Sequence, residues 1–267
     1  MSNGLETLIS KAEQLTSAVE NHASDIQTQM SNMKSQQTTA ITELNNAVNT
    51  AISTQLKKEF YINAVNDDDS VTNHVKSIAE AVRRTPEHGR CICKVEGSTI
   101  VDELIYVGDK HLEIIFSNYT DELIQATPAA GFRIAPHASI AVIKGVARTA
   151  LGGQPTDYSA FFKRQVMSSP ILRFYETEIK LGDHDLAALG SDANTKIEFV
   201  MSKSKISKIG TENSHLLRFN GCASIVINGL RNEVGVAFVD LISGVIRSRA
   251  GIPLNIVSNV DFSSTAA

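Results

Sequence analysis

The chain has 267 residues, with 25 Lys and Arg against 29 Asp and Glu and a formal net charge of -4. That balance excludes binding of duplex nucleic acid through bulk positive charge, which depends on releasing counterions from a basic surface. Hydrophobic residues make up 42%, enough for a sizeable core, while the apolar runs fall far short of the roughly 20 residues of a membrane helix, so neither nucleic acid nor membrane insertion is expected. Met1 to Leu15 has neither a basic start nor an apolar stretch, and no export signal is expected. Three cysteines, Cys91, Cys93 and Cys222, are too few for a disulfide framework and read as buried small hydrophobes.

The strongest pattern is helical. Leu5, Leu8, Ala12, Leu15, Val19, His22 and Ile26 alternate steps of three and four, which is a heptad seam. From His22 the steps change: Ile26, Met30, Met33, Gln37, Ile41, Leu44, Val48 and Ile52 follow an eleven-residue rhythm, with Leu8, Val19, Met30, Ile41 and Ile52 eleven apart. Such a repeat averages about 3.67 residues per turn and relaxes the left-handed supercoil, so a coiled coil that changes pitch near Ile26 is expected. The other faces are Ser, Thr, Asn and Gln, so the narrow stripe calls for a partner, most simply another copy of the chain. Asn3 with Glu6 suggests a capping box at its start. Roughly 50 residues give a rod on the order of 75 Å. His22 and Gln37 are polar seam positions that fix register.

The rod, residues 1–58, is followed by a junction over 59–90. Asn63 to Asp69 reads as turn chemistry, because Asp67, Asp68 and Asp69 lack the alternating oxygens and central Gly of a calcium loop. A short helix with Val71, Val75, Ile78 and Val82 on one face is expected next, closed by Pro86 and Gly89.

From Cys91 the rhythm becomes period two. Expected strands are Cys91–Glu96, Ile100–Val107, His111–Phe116, Ile140–Ile143, Ile171–Leu181, Lys196–Met201, Leu216–Phe219, Ser224–Ile227 and Glu233–Ile242. Gly108-Asp109, Asn220-Gly221 and Asn228-Gly229 read as turns between them, the last two as tight hairpins. The fold class implied is an amino-terminal α-helical coiled coil plus an all-β head, an antiparallel sandwich or barrel, with two β-rich parts, 91–150 and 151–267, meeting near Gly152-Gly153.

Catalytic chemistry finds little support. There is no G-x-S-x-G elbow, P-loop or dinucleotide fingerprint, and the seven histidines show no metal-ligand spacing, so no cofactor and no metal are expected. Gly182-Asp183-His184-Asp185 is the best catalytic candidate, and it reads as turn chemistry. Outside residues 5–52 the charge is nearly even, 23 bases and 24 acids, but Lys203, Lys205 and Lys208 cluster. Alternation through Ser202-Lys203-Ser204-Lys205 would place two lysines on one face, either protecting a sheet edge or forming a candidate receptor patch for anionic sugars or lipid phosphates. Tyr119, Tyr158, Phe161 and Tyr175 are candidate sugar-stacking rings.

A polar coiled coil followed by a short junction and a β-rich head resembles bacteriophage tail fibres and receptor-binding proteins. The resemblance implies a parallel homotrimer in the virion, assembled in the host cytoplasm, docked on tail, baseplate or neck proteins and contacting a host surface structure, glycan in particular, without catalysis. A structural virion protein, such as a capsid or neck fibre or a baseplate component, is the alternative. An enzyme acting on surface polysaccharide is the third reading.

Two tests follow. Replacing Met33 and Leu44 together by Asp puts like charges on the bundle axis and is expected to dissociate the oligomer; a native mass in light scattering would refute the seam. If the rod is only a spacer, a chain beginning at Cys91 is expected to fold.

Overall fold

The computed structural model describes residues 2–63, 73–135, 137–156, 158–164, 170–188, 196–218, 222–228, 231–232, 241–246, 248–250 and 252–259. The chain divides into two compact units, Met1–Thr54 and Gln55–Ala267.

The first unit is the body of α1 (Ser2–Leu56), an unbroken helix of 55 residues, about 80 Å long. It begins two residues earlier than a cap at Asn3 would place it, and the Asn3 carbonyl, inside the first turn, accepts from the Thr7 hydroxyl at 2.7 Å. Thr16, Thr28, Thr38, Thr39 and Thr42 likewise donate to the carbonyl four residues back. These six threonines thus satisfy their hydroxyls within the helix. No described helix is long and apolar enough to cross a membrane.

The second unit corrects the expected antiparallel head. After β1 (Lys57–Asn63) and α2 (Ile78–Arg84), strands run in threes. The first coil is β2 (Arg90–Glu96), β3 (Thr99–Val101) and β4 (Leu104–Gly108), and the second β5 (His111–Phe116), β6 (Glu122–Gln125) and β7 (Gly131–Ile134). The third is β8 (Ser139–Ile143), β9 (Val146–Arg148) and β10 (Phe162–Arg164), and the fourth β11 (Ile171–Tyr175), β12 (Glu178–Leu181) and β13 (Ala187–Ala188). Then come β14 (Lys196–Ser202), β15 (Lys205–Lys208) and β16 (Leu217–Arg218), followed by β17 (Cys222–Asn228), β18 (Arg231–Asn232) and β19 (Ile242–Ser243), and finally β20 (Ile256–Ser258). From β2 onward each strand pairs in parallel with the strand three later and β1 adds to β2, giving among the described residues sheets of eight, six and six strands. This is a three-sided parallel β-helix, not a sandwich or barrel.

The physical reason lies at the corners. A tight hairpin needs a turn of two residues with φ above zero at its first or at both central positions. Here the strand is followed by one left-handed residue, Glu176 (φ 53) or Lys203 (φ 51), or by two, Lys144 (φ 64) and Gly145 (φ 80), and the next strand lies in a different sheet. The chain therefore bends onto the next face, and its partner arrives one coil later. Ile100–Val107 is accordingly two strands, β3 and β4, and Ile171–Leu181 is β11 and β12, broken at Glu176-Thr177. Gly108-Asp109 joins strands of different sheets, β4 and β5. The Asn220-Gly221 and Asn228-Gly229 turns, Asp67 to Asp69, Val71 and Glu233 to Asp240 lie wholly or partly outside the described residues.

Parallel register stacks like on like inside the coils. Cys91, Leu112, Ile140, Leu172 and Phe199 form one ladder, and Cys93, Ile114, Val142, Phe174 and Met201 another. All ten are buried. Phe132 stacks on Phe162 at 5.4 Å, and Phe174 meets Phe162 edge-on at 5.8 Å and Phe199 at 5.5 Å. These offset and edge contacts add to the roughly 1.5–3 kcal/mol of burying each side chain. Outside, opposite charges meet across coils: Glu122 is ion-paired with Arg148 at 2.9 Å and accepts from Lys180 at 2.8 Å, and Glu113 takes a two-pronged bond from Arg90.

The junction belongs to this core. β1 pairs in register with β2, Lys57 opposite Arg90 through Asn63 opposite Glu96. The short helix starts later than expected, at Ile78, with Ser77 as its cap accepting the Glu80 N–H at 3.2 Å. Phe60, Ile62, Val75, Ile78, Ala81 and Val82 are all buried in the common core, while Arg83 and Arg84 pair with Glu80 on the outer side.

This revises the expected truncation. A chain beginning at Gln55 should melt cooperatively in circular dichroism. One beginning at Cys91 loses β1 and α2, uncovers the first coil, and forfeits about 1.5–3 kcal/mol for each buried aliphatic or aromatic side chain removed. It should melt much lower or aggregate, and equal melting of the two would show that the first coil needs no cover.

Candidate functional site

The corner between the eight-stranded sheet and the sheet of β3, β6, β9, β12, β15 and β18 repeats one device. The residue after the left-handed position is Thr177 in the fourth coil and Ser204 in the fifth, both buried. The Thr177 hydroxyl donates to Val142 O at 3.1 Å, and the Ser204 hydroxyl to Phe174 O at 3.2 Å, so each recovers a carbonyl of the preceding coil. In the third coil the same position is Gly145, at φ +80, where an added Cβ would stand 2.7 Å from Asp121 O and 2.8 Å from the Phe116 ring. The corner is tight there because the second coil carries a longer loop.

That loop, residues 117–121, pushes Tyr119 outward. Asp121, itself buried, holds it by accepting the Asn118 N–H at 3.1 Å and the Gly97 N–H at 3.3 Å. Tyr119 is 60% exposed. Its hydroxyl donates to Glu176 Oε2 at 3.0 Å, and the Lys144 ammonium sits 5.0 Å from its ring centre.

Below Tyr119 an open groove of about 470 Å³ is lined by Gly145, Glu176, Thr177, Glu178, Lys203 and Lys205. Lys203 pairs with Glu176 and Lys205 with Glu178, each at 3.2 Å. The Tyr119 hydroxyl and the Lys203 ammonium hold the Glu176 carboxyl below the usual carboxylate range, and Glu176 raises the Tyr119 phenol in return. The groove thus presents donors and acceptors in matched pairs beside one exposed ring.

Lys203 and Lys205 come together here, but not on one face of a continuous strand and not at a sheet edge. Lys203 is a corner residue, Lys205 opens β15, and β15 lies between β12 and β18. Lys208, at the far end of β15 opposite Leu181, does not line the groove. Of the proposed stacking rings, only Tyr119 lines it. Tyr158 is 87% exposed elsewhere, and Phe161 is core, 5.5 Å from Phe132. Glu176 and Glu178 were not singled out from the sequence. The signal was available in the echo between Glu176-Thr177-Glu178-Ile179 and Lys203-Ser204-Lys205-Ile206.

The residues of the seam lie along α1, all exposed in the single chain. Leu5, Leu8, Leu15, Val19, Ile26, Met30, Met33, Ile41, Leu44, Val48 and Ile52 range from 46% exposed at Val48 to 69% at Leu8 and Leu15. His22 and Gln37 are exposed among them.

Within Gly182-Asp183-His184-Asp185 the two carboxylates turn to other partners than His184, and Asp185 Oδ1 meets the His215 ring at Nδ1, 3.1 Å away. Asp183 caps loop amides, accepting from Gly152 at 2.6 Å, Thr211 at 2.7 Å and Glu212 at 3.1 Å. His184 is 1% exposed and donates through Nε2 to Gly152 O at 2.8 Å. Asp185 accepts from the His215 N–H at 2.6 Å and from Arg218 Nε at 2.5 Å. Each side chain joins its coil to a neighbouring one. Lys163 has a similar task in the turn at 127–130, donating to the carbonyls of Pro128, Ala129 and Ala130, while burial pushes its ammonium down to about 8. Among the described residues no three of His, Cys, Asp and Glu gather as metal ligands.

Burial alone would raise the Asp185 carboxyl, but the hydrogen bonds from His215 and Arg218 outweigh it and hold it below 3.8. A carboxyl depressed by folding contributes stability that is complete above its unfolded pKa and lost as pH falls through the folded one. Asp185→Asn should therefore cost about 3 kcal/mol at neutral pH and flatten the fall in melting temperature below about pH 5. An unchanged acid profile would show that this network does not link the fourth and fifth coils energetically.

No family model, curated protein or solved structure matches the chain.

Proposed function

We propose that the chain is a homotrimeric fibre protein of the bacteriophage tail-fibre kind, which docks on the virion tail or baseplate and attaches to a host surface structure, glycan in particular, without catalysis. The observation that carries this reading is the apolar stripe of α1, which runs over some fifty residues and is exposed among the described residues. A helix of that length is not held by propensity alone, and exposed apolar surface along a single face calls for other helices. The in-register β-helix is a stiff module suited to repeated display. Three copies on one rod turn weak individual contacts into firm attachment through effective concentration.

Labelled full-length protein should adhere to some members of a panel of intact bacterial cells, and the Met33→Asp, Leu44→Asp protein should adhere at least about 100-fold more weakly. Equal adhesion would remove the avidity argument. A trimer that adheres to no cell would leave the structural virion role, and release of reducing ends from surface polysaccharide would bring back the enzyme.

A further inference from the structure

We infer that the groove under Tyr119 is a site for a linear, uncharged saccharide laid along the axis of the β-helix. The assignment rests on the surface-attachment reading above and gives it a place and a ligand class. Three properties of the groove point there.

Its direction is the first. The lining residues come from four successive corners: Tyr119 from the second coil, Gly145 from the third, Glu176 and Glu178 from the fourth, Lys203 and Lys205 from the fifth. Three steps at the strand spacing of about 4.8 Å make a site on the order of 14 Å long, which suits a chain of sugar rings better than a single one.

Its chemistry is the second. Tyr119 offers an exposed aromatic face for the C–H face of a sugar ring. Behind it, each carboxylate accepts and each ammonium donates, 3.2 Å apart in two successive pairs. Adjacent hydroxyls of a sugar ring are both donor and acceptor, and bridge such a pair without breaking it.

The third property is charge. Glu176 and Glu178 cancel Lys203 and Lys205 at the groove wall, and the remaining ammonium nearby, Lys144, lies outside the lining, beside the Tyr119 ring and donating to Ser117 O. A sialylated, sulfated or phosphorylated ligand would have to displace a carboxylate from its lysine and then lie against it. This departs from the anionic-sugar patch expected from the lysines alone.

The test uses the full-length chain on immobilised linear oligosaccharides of neutral hexose and N-acetylhexosamine, beside sulfated and sialylated forms of the same chains. The wild type should bind one or more neutral chains and lose affinity for their charged forms. Tyr119→Ala should weaken binding at least about tenfold, while Tyr106→Ala, an exposed ring on another sheet, leaves it unchanged. Circular dichroism melts confirm that the variants are folded. A preference for the charged forms, no binding to any neutral chain, or full binding by folded Tyr119→Ala would overturn the proposal. Light scattering on the same samples separates it from the fibre reading. A trimer indifferent to Tyr119→Ala discards the groove alone, and a monomer that needs Tyr119 discards the fibre alone.

Discussion

Parallel pairing of each strand with the equivalent strand one coil later is the interaction from which the rest of the β-unit follows. It places Cys93, Ile114, Val142, Phe174 and Met201 in one interior column and sets Glu178 opposite Lys205 outside. It also brings the corners into line, so that Lys144, Glu176 and Lys203 recur at the same bend. A side chain on one corner is then a neighbour of its counterpart on the next, about 4.8 Å away. The groove is a product of that stacking: one coil spends five residues on a corner where its successors spend two, and the displaced Tyr119 overhangs the shorter bends.

A parallel stack has ends, and the first coil shows how one is closed. β1 satisfies the open edge of β2, and α2 contributes buried Ile78, Ala81 and Val82 inward while its charged residues face outward. Capping of this kind covers the edge of β2, along which parallel strands could otherwise associate between molecules. The apolar stripe of α1 has no such cover among the described residues. The first coil is thus covered by residues of its own unit, whereas the apolar stripe on α1 is exposed along its length.

Much of this was legible in the residues. The helix announces itself through three-and-four spacing from Leu5 to Ile52, and strand positions such as His111–Phe116 follow from alternation alone. Pairing did not follow, because period-two alternation is the same for a strand in a sandwich and a strand in a coil. The repeat that would have decided it is irregular, since insertions at the corners let successive coils differ in length: His111 is opposite Arg90, 21 residues before it, and Ser139, 28 after it. The left-handed corner positions are also partly disguised, being glycine at Gly97 and Gly145 but Lys or Glu at Lys144, Glu176 and Lys203. In the groove, Lys203, Lys205 and Tyr119 were visible as types. Their partners Glu176 and Glu178 were hidden by a separation of 27 residues between Glu178 and Lys205 that only the register explains.

The central claim is that the stripe on α1 is buried between copies of the chain, and the mass and shape of the full-length protein in solution test it most directly. Light scattering coupled to small-angle X-ray scattering should report a particle three times the 28.9 kDa chain mass, with a maximum dimension that exceeds the roughly 80 Å helix. A single-chain mass at micromolar concentration would contradict the account, because the apolar face would then stand in water without a partner.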